Sequence, residues 1–315
     1  MFAGGLAHAA PPALGLPIRC QLGVDCYIQN FFDHDAEPGW RDYTCGPLSY
    51  NGHTGTDFRI ADLPAMHAGV AVIAAADGIV VSTRDGEPDI TVSERGYAAL
   101  NGKEAGNGVR IIHDDGWETQ YSHLRRGSVV VRPGQNVKAG EVLGLVGLSG
   151  NTDFPHVDFT VRKNRKPVDP FAPEASSCGS GSATLWDSAL ARQLDYQATG
   201  LLTSGFAPAG LSQRQAQAGD YKISEITRHS PAIVFWAEIF GLRQGDVLTL
   251  RLNDPSGQAL AINQSTLHRN NAIGFALAGK QRTQAAWPLG RYLGQVTVHR
   301  QEQLIIDETR GVELR

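Results

Sequence analysis

Apolar positions in this chain come in short runs broken by glycine, proline and Asp-Gly pairs, and no stretch sustains the period of a long amphipathic helix. "VAVIAAADGIVV" sets Asp77-Gly78 between two apolar runs, and "NGVRIIHDDGWETQYSHL" sets Asp115-Gly116 between two more. Asp-Gly between alternating runs is a strong hairpin signal, because both residues tolerate the positive φ of a tight turn. "VVVRPGQNVKAGEVLGLVGLSG" adds Pro-Gly and Ala-Gly turns between Val/Leu runs. Residues from about 67 to 162 are therefore expected to form short, mostly antiparallel strands.

"ASSCGSGSA" is a Gly/Ser-rich break, and a second β pattern follows it. "DYKISEI", "AIVFWAEIF", "DVLTLRL", "ALAINQ", "AIGFALAG", "YLGQVTVHR" and "QLIIDET" are the expected strands, with "NDPSG" as one of the turns between them. Short alternating strands with regular turns predict an Ig-like β-sandwich. Gly290-Arg-Tyr292 before an alternating run loosely resembles a late-strand pattern of bacterial Ig-like modules. The expected class is all-β throughout. The expected division is a tail over 1–18, a first β domain over 19–174, a linker and connecting segment over 175–218 and the sandwich over 219–315.

Composition narrows the function. With 315 residues, 42% apolar and 19% charged, the chain suits two globular domains. A net charge of -4 gives no electrostatic reason to expect nucleic acid, and no apolar run reaches the ~20 residues of a membrane helix. "MFAGGLAHAAPPALGLP" offers a signal-peptidase-like Ala7-His8-Ala9 without a basic start, which reads as a truncated signal peptide or an Ala/Pro-rich tail. Cys20, Cys26, Cys45 and Cys178 match no zinc-knuckle spacing. An even count predicts two disulfides, with three connectivities open, and an extracytoplasmic location.

Candidate chemistry lies in the first β region. His53 and Asp57, four apart in "NGHTGTDF", could reach one metal ion, although such a pair is weak evidence alone. In "PHVDF", His156 and Asp158 project from one face of a strand while Val157 and Phe159 can enter the core. "YSHL" contributes Tyr121 and His123, and "VGLSG" is a glycine-rich turn just ahead of "PHVDF". His113 reads as structural, and His67, His229, His268 and His299 as surface residues. "FFDHDAE" reads as a solvated loop, with a fourth ligand or a gate at the candidate site as the sharper alternative.

Taken in order, His-x-x-x-Asp, "AAADGIVV", "YSHL", "VGLSG" and "PHVDF" resemble the lysostaphin-type (LytM-like) zinc metallopeptidases, over roughly residues 45 to 172. The resemblance implies an antiparallel β groove floored by one Zn2+ and hydrolysis of peptidoglycan cross-linking peptides. It makes His53 and Asp57 ligands, gives the chemistry to His123 and His156, and puts Asp158 at the third ligand position. His156 is then the expected general base. His123, with Tyr121 as a weaker candidate, would orient water or stabilise the developing oxyanion.

The chain departs from that family at one point, carrying Asp158 where the pattern has histidine. A carboxylate oxygen and an imidazole Nδ1 are both two bonds from Cβ, and zinc accepts Asp oxygen. Two carboxylates leave the site less positive, which predicts an activity optimum at higher pH or tolerance of harder metals. The alternative is an inactive module that binds wall or regulates a cell-wall amidase. The C-terminal domain is a further candidate for wall contact or for a protein partner.

Overall fold

In the computed structural model, residues 11–181, 183–223 and 225–315 are described, without the side chains of residues 222 and 223. They divide into two compact units. One holds the described residues up to Ile60 with Ala65–Tyr196, and the other holds Ala61–Pro64 with Gln197–Arg315. No helix among the described residues is long and apolar enough to cross a membrane.

The first unit is built on ten strands: β1 (Cys26–Asn30), β2 (Thr56–Ile60), β3 (Ala71–Ile73), β4 (Gly78–Arg84), β5 (Asn107–Ile112), β6 (Trp117–Leu124), β7 (Asn136–Val137), β8 (Val142–Leu145), β9 (His156–Lys163) and β10 (Lys166–Val168). Its main sheet runs β1-β2-β9-β6-β5-β4-β7, with β10 added to β9, while β3 and β8 pair separately. All these ladders are antiparallel. Asp115-Gly116 closes the β5–β6 hairpin as expected. Asp77-Gly78 does not close one, because β3 pairs with β8 and β4 with β5.

Alternation decides what each strand buries. Phe58 and Ile60 of β2, Val109 and Ile111 of β5, Tyr121 of β6 and Val157, Phe159 and Val161 of β9 fill one side of the sheet. Asp57, Ser122, His156 and Asp158 are thereby directed to the other side.

The expected boundaries need correction. Leu14 is fully buried, and its amide donates to Leu185 O at 2.8 Å. Trp186 packs on Phe159, with ring centroids 5.8 Å apart, and on Phe171 at 5.3 Å. Truncating a buried aromatic of this size costs about 3–5 kcal/mol. Residues 14–18 and 185–186 are thus part of the first unit's core, where a tail and a linker were expected; residues 1–10 of that tail lie outside the described residues. The disulfides are Cys20–Cys26 and Cys45–Cys178.

The second unit is a seven-stranded sandwich. Its strands are β11 (Gly200–Ala207), β12 (Ala232–Leu242), β13 (Val247–Asn253), β14 (Ala259–Thr266), β15 (Asn271–Gln281), β16 (Gly290–Arg300) and β17 (Gln303–Leu314). One sheet runs β11-β12-β15 and the other β14-β13-β16-β17. Ile233, Phe235 and Ile239 meet Leu250, Leu252, Val296 and Val298 in one core. Near the start of β16, Tyr292 is fully buried and its hydroxyl donates to Pro288 O at 2.9 Å. A buried Tyr bonded to backbone a few residues upstream also occurs, as the tyrosine corner, in Ig-like sandwiches.

Six of the seven expected strands form, and the first does not. "DYKISEI" begins as a helical turn over Asp220–Ile223, just after the helix Gln213–Ala218, which starts on a Ser212–Gln215 capping box. The missing strand is β11, inside the expected linker. It sits at a sheet edge, and its glycines serve packing: a Cβ at Gly205 would press on the Trp236 ring at 3.1 Å.

Candidate metal centre

Two carboxylates are set by strand register. Asp57 of β2 stands opposite Asp158 of β9, and Asp158 stands opposite Ser122 of β6. His53 arrives from the loop before β2, where Asp33 organises the chain. The Asp33 carboxylate accepts from the amides of Asp35, Arg41 and Gly52 at 2.8–3.0 Å, and the Asp33 amide donates to His53 O at 2.8 Å. His34 and Asp169 add a buried pair at 2.7 Å. "FFDHDAE" is therefore a frame that positions His53, and the expectation of a solvated loop is corrected. The signal available in the sequence was Asp33 directly after the apolar pair Phe31-Phe32.

The polar tips converge. His53 Nε2 lies 3.2 Å from Asp57 Oδ1 and 4.0 Å from Asp158 Oδ1. His156 Nε2 lies 3.5 Å from Asp57 Oδ1. Asp57 Oδ2 accepts from Asn30 Nδ2 at 2.8 Å, a residue that sequence reasoning missed. Gly55 keeps the site open, since a Cβ there would overlap Asp158 Oδ1. Tyr50 stacks on the His53 ring at 4.3 Å and was also missed.

These residues fit a metal ion. His53 Nε2 and Asp57 Oδ1 are buried and find no hydrogen-bond partner beyond each other and the neighbouring site groups, which is costly unless something else satisfies them. The three donor atoms of His53, Asp57 and Asp158 all lie within 4.8 Å of one another. Tetrahedral zinc with bonds of ~2.0–2.1 Å needs donors about 3.3 Å apart, so only Asp158 has to draw in slightly. Its side chain, 20% exposed, is also the one on the open side.

Three histidines share one mode of anchoring. His53 Nδ1 lies 2.8 Å from Phe31 O, His123 Nδ1 2.7 Å from Ser149 O, and His156 Nδ1 3.0 Å from Phe154 O. A carbonyl can only accept, so each Nδ1 carries a proton, and in the neutral ring Nε2 is the nitrogen left with its lone pair. For His53 that atom faces the carboxylates as a ligand would. For His156 and His123, whose rings lie 4.6 Å apart, it is a proton acceptor beside the cluster.

Strict alternation would send His123 into the core with Tyr121. A φ of 63° at His123 breaks the alternation and brings its ring against His156. Tyr121 stays in the core. It is fully buried, and its hydroxyl accepts from the Ala75 amide at 2.7 Å and from Thr119 Oγ1 at 3.3 Å. The expectation that Tyr121 faces the site is therefore corrected: pleating carries it to the opposite side from Ser122. His113 is structural, bonded to Asp77 O and Thr119 Oγ1.

Electrostatics follow from the packing. Burial alone would lower His53, but the charges of Asp57 and Asp158 outweigh it and raise its pKa to about 9. Burial would raise Asp57, yet His53 and His156 hold it well below the usual carboxylate range. Burial and the neighbouring Asp57 charge push Asp158 up to about 6. Burial and then His156 press His123 down to about 3, so it is a neutral imidazole.

Residues 51–170, which include all five of these side chains, match the family model described as Peptidase family M23. This segment is an M23 peptidase domain. The chain is 36% identical over 119 residues to the DD-carboxypeptidase/endopeptidase Mpg of Neisseria meningitidis, covering 38% of this chain and 22% of that protein. It is 34% identical over 117 residues to the peptidoglycan DD-endopeptidase ShyA of Vibrio cholerae, covering 37% and 22%. The cell division protein DipM of Caulobacter vibrioides is 38% identical over 102 residues, covering 30% and 16%. The chain thus spans about a fifth of the length of these relatives. Among solved structures, the catalytic domain of lysostaphin from Staphylococcus simulans is 27% identical, with 41% of this chain and 84% of that chain covered and a TM-score of 0.29.

Proposed function

We propose that the M23 domain hydrolyses peptide cross-links of bacterial peptidoglycan, with one zinc ion held by His53, Asp57 and Asp158. The observation that carries this reading is the convergence of those three donors, two of them buried with no partner outside the cluster, beside two histidines anchored through Nδ1. Bound zinc supplies Lewis-acid polarisation of a peptide carbonyl and makes water a better nucleophile at neutral pH.

The protein's own groups handle protons and position. His156 takes a proton at Nε2, since its Nδ1 is committed to Phe154 O, and Asp57 Oδ1 at 3.5 Å steadies the resulting cation. His123, kept neutral by burial, orients water through the Nε2 lone pair. Stacked on His53, Tyr50 limits how that ring can turn. With two carboxylates in the ligand set, water is less acidified than with two histidines and one carboxylate, so the activity optimum sits at higher pH. Asp158→His would lower that optimum. Two disulfides support an oxidising, extracytoplasmic compartment, which is where this substrate lies.

A second reading is favoured by Asp158 alone: a groove that binds wall or regulates a separate wall amidase without hydrolysis. Metal content by mass spectrometry, beside sacculus digestion, separates the two. One zinc per chain, lost in Asp158→Ala together with release of muropeptides, supports the enzyme; zinc-free protein that stays inert after zinc is restored supports the regulator. Wall contact through the sandwich is tested by pull-down on sacculi, comparing the full chain with one ending at Tyr196.

A further inference from the structure

A row of facing residues crosses the main sheet away from the candidate metal centre. Asp57 pairs with Asp158, Asp158 with Ser122, and Gly108 with Arg84. Gly108 closes the gap in that row, because a Cβ on it would press against Tyr121 O and stand 3.5 Å from Ser122 Cα. Ser122 and Gly108 are small, and here lies a groove of about 240 Å3 whose lining includes Arg84, Gly108, Arg110, Gln120 and Ser122.

The far end of the groove is positively charged. Arg84 donates from Nη1 to Gly106 O at 3.0 Å, which fixes its guanidinium, and among the described residues it has no carboxylate partner. Behind it, Arg110 and Arg162 share the single carboxylate of Glu118, at 2.6 and 3.1 Å. Three guanidiniums against one carboxylate is a cationic patch on a chain whose net charge is -4. A planar, pre-positioned guanidinium without an internal carboxylate is suited to a bidentate carboxylate.

We propose that Arg84, backed by Arg110, binds a free carboxylate of the substrate peptide and so sets which cross-links enter the groove. This rests on the peptidoglycan reading above and deepens it. Strand spacing of ~4.8 Å puts Arg84 about 14 Å from Asp158 along the row, roughly four residues of extended peptide. The recognised group is therefore a carboxylate on the stem peptide several residues from the bond that is cut, not the reacting carbonyl itself.

The test uses the full chain, stripped of metal so that nothing turns over, and soluble cross-linked stem-peptide dimers released from sacculi. One sample keeps its free carboxyls and the other has them converted to amides. Calorimetry on wild type is expected to show at least about tenfold weaker binding of the amidated dimer. Arg84→Gln should lose the same factor for the carboxylate dimer and change little for the amidated one, while Arg84→Lys recovers part of it. Equal affinity for the two dimers, or an Arg84→Gln loss that is the same for both, would overturn the proposal. Failure of the hydrolase reading is distinct: the zinc-loaded protein would then cleave neither dimer while the binding difference persists.

Discussion

Asp57 and Asp158 face each other across β2 and β9 as direct antiparallel partners, two carboxylates in register with their backs to one apolar core. Like charges directly opposite are destabilising, and here each is answered in a different way. Asp57 is held ionised by His53 and His156, while Asp158 drifts toward its protonated form. An ion placed between them would resolve the conflict.

That conflict predicts how metal affinity depends on pH. In the metal-free protein His53, at about 9, is protonated at neutral pH, and Asp158, at about 6, gains a proton below that. Zinc must displace these protons, so its affinity rises with pH. The expected slope is about one log unit of affinity per pH unit between roughly 6 and 9, steepening toward two below 6. Competition with a chelator across this range checks it; an affinity flat from pH 5 to 8 would sink the idea.

The histidines should separate by phenotype. His53→Ala is expected to lose both zinc and activity. His156→Ala and His123→Ala should keep close to full zinc occupancy while losing about 10²–10⁴-fold in rate, the usual weight of a proton-handling group. Zinc content and sacculus-digestion rates on the same preparations give the answer. A variant of His123 or His156 that empties the site would move that residue into the ligand set.

Gly55 offers a test that leaves every site side chain in place. Gly55→Ala puts a methyl where Asp158 Oδ1 lies, and the carboxylate must swing away. Zinc occupancy should fall sharply while the far-UV circular dichroism stays that of wild type. Unchanged zinc content would mean that Asp158 is dispensable for binding.

In the sandwich, Asp246 is fully buried and accepts from Arg300 at 2.8 Å through both oxygens. Burial works to raise its pKa, but Arg300 prevails and lowers it, so the pair stabilises the fold above the ordinary carboxylate range and less as pH falls. Removing one partner of a buried pair costs about 3–5 kcal/mol. Arg300→Met should therefore lower stability by roughly that amount at pH 7, with the deficit shrinking toward pH 4 as the stranded Asp246 takes up a proton. Denaturant melts at both pH values measure it; an equal deficit at each would assign the loss to packing alone.

The shared face of His156 and Asp158 was legible because both sit on a strand whose period is two. Once Val157 and Phe159 go inward, His156 and Asp158 must share the other face, and the spacing of His53 and Asp57 does the rest. What escaped depended on departures from that period or on distant chain. His123 reaches the cluster only through its left-handed φ, and Tyr121 was expected there for want of that detail. Asn30, Asp33 and Tyr50 act through register and loop packing that no local pattern encodes. The sandwich followed the same rule: alternating strands were visible, whereas β11 was hidden by glycines that make room for Trp236.

The bridge from Cys45 to Cys178 spans 133 residues of sequence. His53, Asp57, His123, His156 and Asp158 all lie inside that span. A single proteolytic nick anywhere between the two cysteines would leave both fragments covalently joined, so the cut chain would run as one species until a reductant released it.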